Sequence, residues 1–155
     1  MTRFVYVRHG ESNSTVARVI GGYRTCSGLS PLGVRQAEAL RDRWLAAPEL
    51  APDLLVSSEF PRARQTAEII APALGGREIV VEPGFNEHDP GDACDGMTMA
   101  DFVDRFGTGS WEEDPFGVTF PGGETLAGDF FPGAGDRLTG QFEVARGINI
   151  GGVAV

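Results

Sequence analysis

Two short stretches carry residues that can do chemistry. Arg8-His9-Gly10-Glu11-Ser12 follows directly on the apolar run Phe4-Val5-Tyr6-Val7. A strand ending in Arg-His-Gly delivers an imidazole and a guanidinium to the carboxyl edge of a sheet, where open α/β sheets bind ligands. Histidine there can act as a nucleophile, and arginine can clamp a phosphate with two parallel hydrogen bonds. Alone, the motif is equally a strand end with a glycine turn. The second stretch, Ser57-Ser58-Glu59-Phe60-Pro61-Arg62-Ala63-Arg64-Gln65-Thr66-Ala67, also begins at a predicted strand end and opens a helix. Arg62 falls in its first turn, near the positive end that favours anions. Arg8, His9 and Arg62 should therefore converge, and phosphoryl chemistry is the reaction they suit.

The elements that position them follow from periodicity. Phe4 to Val7 reads as the first strand and Asp53 to Val56 as a buried second one; Ile79 to Val81 is a third. Between the first two, a polar Gly-rich loop runs through Gly21-Gly22 to Gly28. Ser30 looks like an N-cap with Pro31 at the first helical position, and the helix extends to about Ala47 with Ala37, Leu40 and Trp44 on one face. A second helix spans about Phe60 to Leu74 and is ended by Gly75-Gly76. Thr98 and Asp101 resemble a capping box for a short helix with Met99, Phe102, Val103 and Phe106 as its buried stripe. Gly107 to Gly123 reads as a covering loop. A helix is expected between Thr125 and Arg146, but Pro132-Gly133-Ala134-Gly135 would break it, and Gly151 to Val155 begins like a strand. Alternating βα units point to one α/β domain over residues 1–155, with a mostly parallel sheet and helices on both faces.

Composition narrows the function classes. The 155 residues fit one core, and no apolar run is long enough to cross a membrane. No secretory signal is visible, so a cytoplasmic location is expected. The net charge of −9 repels nucleic acid and anionic membranes, so an anionic substrate must be small and held by local arginines. All 13 basic residues are arginine, which excludes lysine Schiff-base chemistry and a lysine-bearing phosphate loop. Cys26 and Cys94 show neither Cys-x-x-Cys spacing nor an arginine six residues on, so reduced thiols are expected and a cysteine phosphatase loop is excluded. No cluster has metal-ligand spacing, and Asp89, Asp92 and Asp95 miss the calcium-loop pattern.

Taken together, the motifs resemble the histidine phosphatase superfamily, the phosphoglycerate-mutase-like group. They are Val7 to Ser12, Leu29 to Ala37, Ser57 to Ala67, Asn86 to Gly96 and Pro121 to Thr125, in that order. The resemblance implies a three-layer α/β/α sandwich, no cofactor or metal, and a small phosphorylated substrate. It makes His9 the nucleophile that becomes phosphohistidine, Arg8 and Arg62 the neutralisers of the phosphoryl oxygens, and Glu87 the acid for the leaving oxygen. Glu87 would then need a raised pKa. Asp89 and Asp92 are competing acids, and Glu11 reads as a hydrogen-bond partner. Asn13, Thr15 and the Gly21-Gly22 backbone, Gly22 included, are the remaining phosphate-binding candidates. Relatives carry a second pocket histidine in a Val/Ser-His-Gly-Gly segment. Here that segment is missing; His88 reads as a loop residue. The chain is therefore expected to be truncated after Val155, with the C-terminal part of the fold missing. A phosphatase is the first reading, and a mutase or a catalytically inactive phosphate-binding remnant are the alternatives. Oligomeric state is not legible.

Overall fold

A computed structural model describes residues 3–107 and 120–123 and the backbone of 141–144. Its framework is β-α-β. Strand β1 (Arg3–Tyr6) is followed by the short helix α1 (Asn13–Ala17) and the long helix α2 (Pro31–Ala46). Then come β2 (Leu55–Ser57), α3 (Pro61–Ile70) with a 3₁₀ turn over Ala71–Leu74, and β3 (Ile79–Val81). Helix α4 covers Met99–Phe106 and strand β4 Gln141–Val144. β2 and β3 pair in parallel, with Val56 opposite Val80, across the α3 connection. β1 pairs in parallel with β4, with Phe4 opposite Phe142. The expected parallel α/β arrangement is therefore present in both strand pairs.

The helices start where the sequence chemistry says. Ser30 Oγ accepts the Gly33 N–H at 3.0 Å, and Pro31 spends no donor at the first helical position. Thr98 caps α4 by accepting the Asp101 N–H at 3.1 Å. Gly75 closes the 3₁₀ turn at φ 80°, a left-handed conformation natural to glycine. Leu40 and Trp44 of α2 meet Ile70 of α3 and Leu74 in one buried cluster, onto which Leu50 and Leu55 pack. Cys94, Phe102 and Phe120 form a second cluster with Ile20, Met97 and Phe106 against it. Both cysteines are free and buried.

Three expectations are corrected. The Gly-rich loop contains α1, which Ser12 caps by accepting the Thr15 N–H at 3.2 Å; five residues are too few to show a helical period. In α4 only Phe102 is fully buried, while Met99 and Val103 are 51% and 39% exposed. Gln141–Val144 is a strand, where a broken helix was expected. Four residues following a Pro-Gly breaker have room for a period of two but not for a stable helix. The remainder of the Thr125–Arg146 stretch, Trp111 and Phe116 in the covering loop, and the Gly151–Val155 strand lie outside the described residues.

Candidate active site

The ends of β1 and β2 bring the two motifs together. A cavity of about 320 Å³ is lined by Arg8, His9, Arg62 and Glu87. Ser12, Ser14, Thr15 and Gly21 line it from the α1 side.

His9 is held by both ring nitrogens. Nδ1 lies 2.7 Å from the Gly10 carbonyl oxygen, and the Arg62 Nε–H donates to Nε2 at 3.1 Å. A carbonyl can only accept, so Nδ1 carries the proton and Nε2 presents its lone pair. Arg62 is 4% exposed. Its guanidinium carbon lies 4.2 Å above the centroid of the fully buried Phe60 ring, and Tyr23 stacks on Phe60 at 4.6 Å. This cation–π contact fixes the guanidinium in a partly desolvated position. The Arg62 Nη2 also donates to Glu87 Oε2 at 2.9 Å, and that oxygen lies 3.8 Å from His9 Nε2.

The loop carrying His9 is tied down on both sides. Thr66 of α3 accepts the Gly10 N–H at 3.2 Å and donates to the Arg62 carbonyl at 2.8 Å, linking nucleophile and arginine through one hydroxyl. Glu11 donates its N–H to Gln36 at 2.9 Å and accepts the Ser30 hydroxyl at 2.7 Å. It is thus a hydrogen-bond partner, as its position beside the motif suggests. Gly10 and Gly33 meet backbone to backbone: a Cβ on Gly10 would lie 2.4 Å from the Gly33 oxygen, and one on Gly33 2.1 Å from the Glu11 oxygen.

The electrostatics of Glu87 reverse the expectation. The adjacent His9 ring and the Arg62 guanidinium, against the opposing effect of burial, hold its carboxyl down to about 2. It is a carboxylate at neutral pH, not the raised acid expected. The causes are the contact with the His9 ring and, after it, the ion pair with Arg62, which sequence position alone does not reveal.

Among the remaining candidates, Thr15 lines the cavity, but Asn13 does not; its amide donates to the Ser27 hydroxyl at 3.1 Å. The Gly22 N–H is spent on Asp95 Oδ1 at 2.9 Å, so Gly21 rather than Gly22 forms the wall. Asp89 accepts the Gly91 N–H at 3.1 Å. His88 is more than a loop residue: it lines the cavity, its ring 5.2 Å from that of Phe120.

Sequence reasoning missed Asp95. It is 4% exposed and accepts from the N–H groups of Gly22 and Arg24 and the Thr25 hydroxyl, while Arg24 donates to its carbonyl. Burial alone would raise its pKa, but Thr25 and the backbone donors outweigh burial and hold the carboxyl below the usual range. Ser14, whose hydroxyl donates to Thr25 O at 3.4 Å, was also missed. Among the described residues no group of three or more His, Cys, Asp or Glu side chains could hold a metal ion, and no helix is long and apolar enough to cross a membrane.

A histidine whose free nitrogen faces an arginine at the carboxyl edge of a parallel α/β sheet defines a phosphoryl-handling class of protein. The chain belongs to the histidine phosphatase superfamily (branch 1), whose family model matches residues 4–128. It is 31% identical over 126 residues to the 2,3-bisphosphoglycerate-dependent phosphoglycerate mutase of Methylorubrum populi, covering 79% of this chain and 58% of that protein. It is 34% identical over 91 residues to the metal-independent phosphoserine phosphatase of Arabidopsis thaliana, covering 59% of this chain and 37% of that one. The mycobacterial glucosyl-3-phosphoglycerate phosphatase, solved as a VO3 complex, matches with a TM-score of 0.63 at 27% identity, over 79% of this chain and 55% of that one. The chain thus spans between about a third and three-fifths of these relatives' lengths.

Proposed function

We propose that this chain carries the catalytic pocket of a phosphatase that hydrolyses a small phosphate monoester through phosphohistidine at His9. The observation that carries the reading is the paired anchoring of His9: Nδ1–H on the Gly10 carbonyl, and Nε2 facing Arg62. In the first step the Nε2 lone pair forms a bond to phosphorus while the bond from phosphorus to the alcohol oxygen breaks. Nδ1–H stays on Gly10 and balances the charge that builds on the ring. Arg62, turning its N–H from Nε2 to a phosphoryl oxygen, and Arg8, which also lines the cavity, offset the charge on the equatorial oxygens.

Glu87 serves the proton transfers. A phosphoryl dianion shared with Arg62 competes for the guanidinium and adds a like charge beside the carboxylate. Both effects raise the Glu87 pKa and let it carry the proton that the departing alkoxide needs. In the second step water attacks phosphorus, the N–P bond breaks, and Glu87 takes the water proton. Thr15 and the wall at Ser14 and Gly21 surround the phosphoryl group from the α1 side. The substrate is a small molecule; no step calls for a metal or cofactor.

The test is phosphate release from an aryl phosphate by the chain and by His9→Ala. Turnover that vanishes in His9→Ala, together with an acid-labile phosphoprotein in the unaltered chain, supports the reading. Turnover that survives in His9→Ala overturns it. Phosphate binding with no turnover in either assigns the chain as an inactive phosphate-binding remnant.

A further inference from the structure

Part of the cavity lining is hydrocarbon. Val19, Ile20, Pro90 and Phe120 line the cavity there, beside the ring of His88. This wall is built rather than incidental. Phe120 is 9% exposed and meets the Phe102 ring edge-on at 5.2 Å. Ile20 packs on the same buried cluster, its N–H donating to Met97 O and its carbonyl accepting from Gly96 N–H, each at 2.8 Å. The wall keeps its shape before a ligand arrives, which lowers the cost of binding.

Among the described residues the cavity lining carries two arginines, Arg8 and Arg62, and Arg62 is bonded to His9 and Glu87. In the sequence, the stretch from Phe106 to Asp136 contains no basic residue. A carboxylate or second phosphate on the substrate would meet this apolar surface, losing hydration without gaining a partner. A hydrocarbon group there gains by burial. The cavity, about 320 Å³, lies at the small end of the ~300–1,000 Å³ typical of ligand sites, room for a phosphate and one compact substituent.

We propose that the site selects monoesters whose alcohol is compact, uncharged and mainly apolar, and discriminates against esters bearing a second anionic group. This rests on the phosphohistidine reading above and sharpens it. It also favours hydrolysis over a mutase reaction, whose substrates carry a carboxylate and a second phosphorylatable oxygen.

The test is calorimetric binding of three probes to the unaltered chain: inorganic phosphate, n-butylphosphonate and its near-isostere 3-phosphonopropionate. Butylphosphonate should bind about tenfold or more tightly than 3-phosphonopropionate, roughly what burying two methylene groups is worth. In Ile20→Arg, which places a cation on the wall, the ratio of the two affinities should swing by at least about tenfold toward the carboxylate. Phosphate binding with equal affinity for both phosphonates, or a preference for the carboxylate, overturns the selectivity and leaves the phosphatase reading standing. No binding of any probe overturns both.

Discussion

Asp95 is the residue whose removal should cost most relative to its distance from the chemistry. Its carboxylate is the shared acceptor for Gly22 N–H, Arg24 N–H and the Thr25 hydroxyl. Asp95→Ala leaves three donors without it. A buried donor left unpaired costs ~1–3 kcal/mol. Gly22 is buried, whereas the Arg24 and Thr25 contacts are half-buried and can recruit water, so the sum should come to about 3–4 kcal/mol. For 155 residues, ~3 °C per kcal/mol gives a fall in Tm of about 10 °C. Asp95→Asn keeps one acceptor oxygen and should lose about half as much. Because Gly22 adjoins the Gly21 wall, phosphate affinity should fall as well. The sign with pH follows from the lowered carboxyl. The advantage of the unaltered chain is complete above about pH 4 and shrinks as pH falls through the lowered value. Thermal melts from pH 7 to pH 3, followed by far-UV circular dichroism, measure this. A Tm for Asp95→Ala within 2 °C of the unaltered chain at pH 7, the limit ~1 kcal/mol would allow, would refute the clamp.

Two further outcomes are expected. Gly33→Ala would force a methyl group to within 2.1 Å of the Glu11 oxygen. It should cost ~1–3 kcal/mol and lower Tm by about 3–9 °C, against no measurable change if the two backbones can part freely. The Glu87 carboxyl should remain ionised down to about pH 3, since its pKa is held down to about 2, and should titrate higher once phosphate is bound; carbon-13 shifts of the carboxylate read both. Its stabilising contribution is present above the ordinary value near 4.5 and lost as pH falls through about 2. With the side chain 62% exposed, that contribution should stay below about 1 kcal/mol, and a larger loss in Glu87→Gln would count against a solvent-screened pair.

What could be read from the residues was mostly what is local. Ser30-Pro31 announces α2, Gly75 ends the α3 segment, and the paired strand-end motifs bring His9, Arg8 and Arg62 to one cavity. The illegible parts have long-range causes. Asp95 meets main-chain donors some 70 residues away, and main-chain donors leave no mark on residue type. Gly22 resembled a phosphate ligand until its N–H proved to be engaged by that aspartate. Glu87 sits at the expected place but in an ion pair that sets its charge the other way. His88 reaches the cavity because Phe120, 32 residues on, provides the surface it rests against. α1 and β4 are too short for a periodic signal to separate from chance.

The contact between Gly10 and Gly33 also bears on how the site breathes. No side chain intervenes there, so no rotamer change can open a gap between the nucleophile loop and the first turn of α2. The capping bonds Ser30 N–H to Glu11 O at 2.8 Å and Glu11 N–H to Gln36 at 2.9 Å cross the same seam. Separating the two segments therefore means fraying the start of the helix. Their amide protons should exchange with solvent as one cooperative unit, at one opening free energy. Access to His9 is then left to the cavity mouth, while the floor beneath the imidazole stays as rigid as the helix that abuts it.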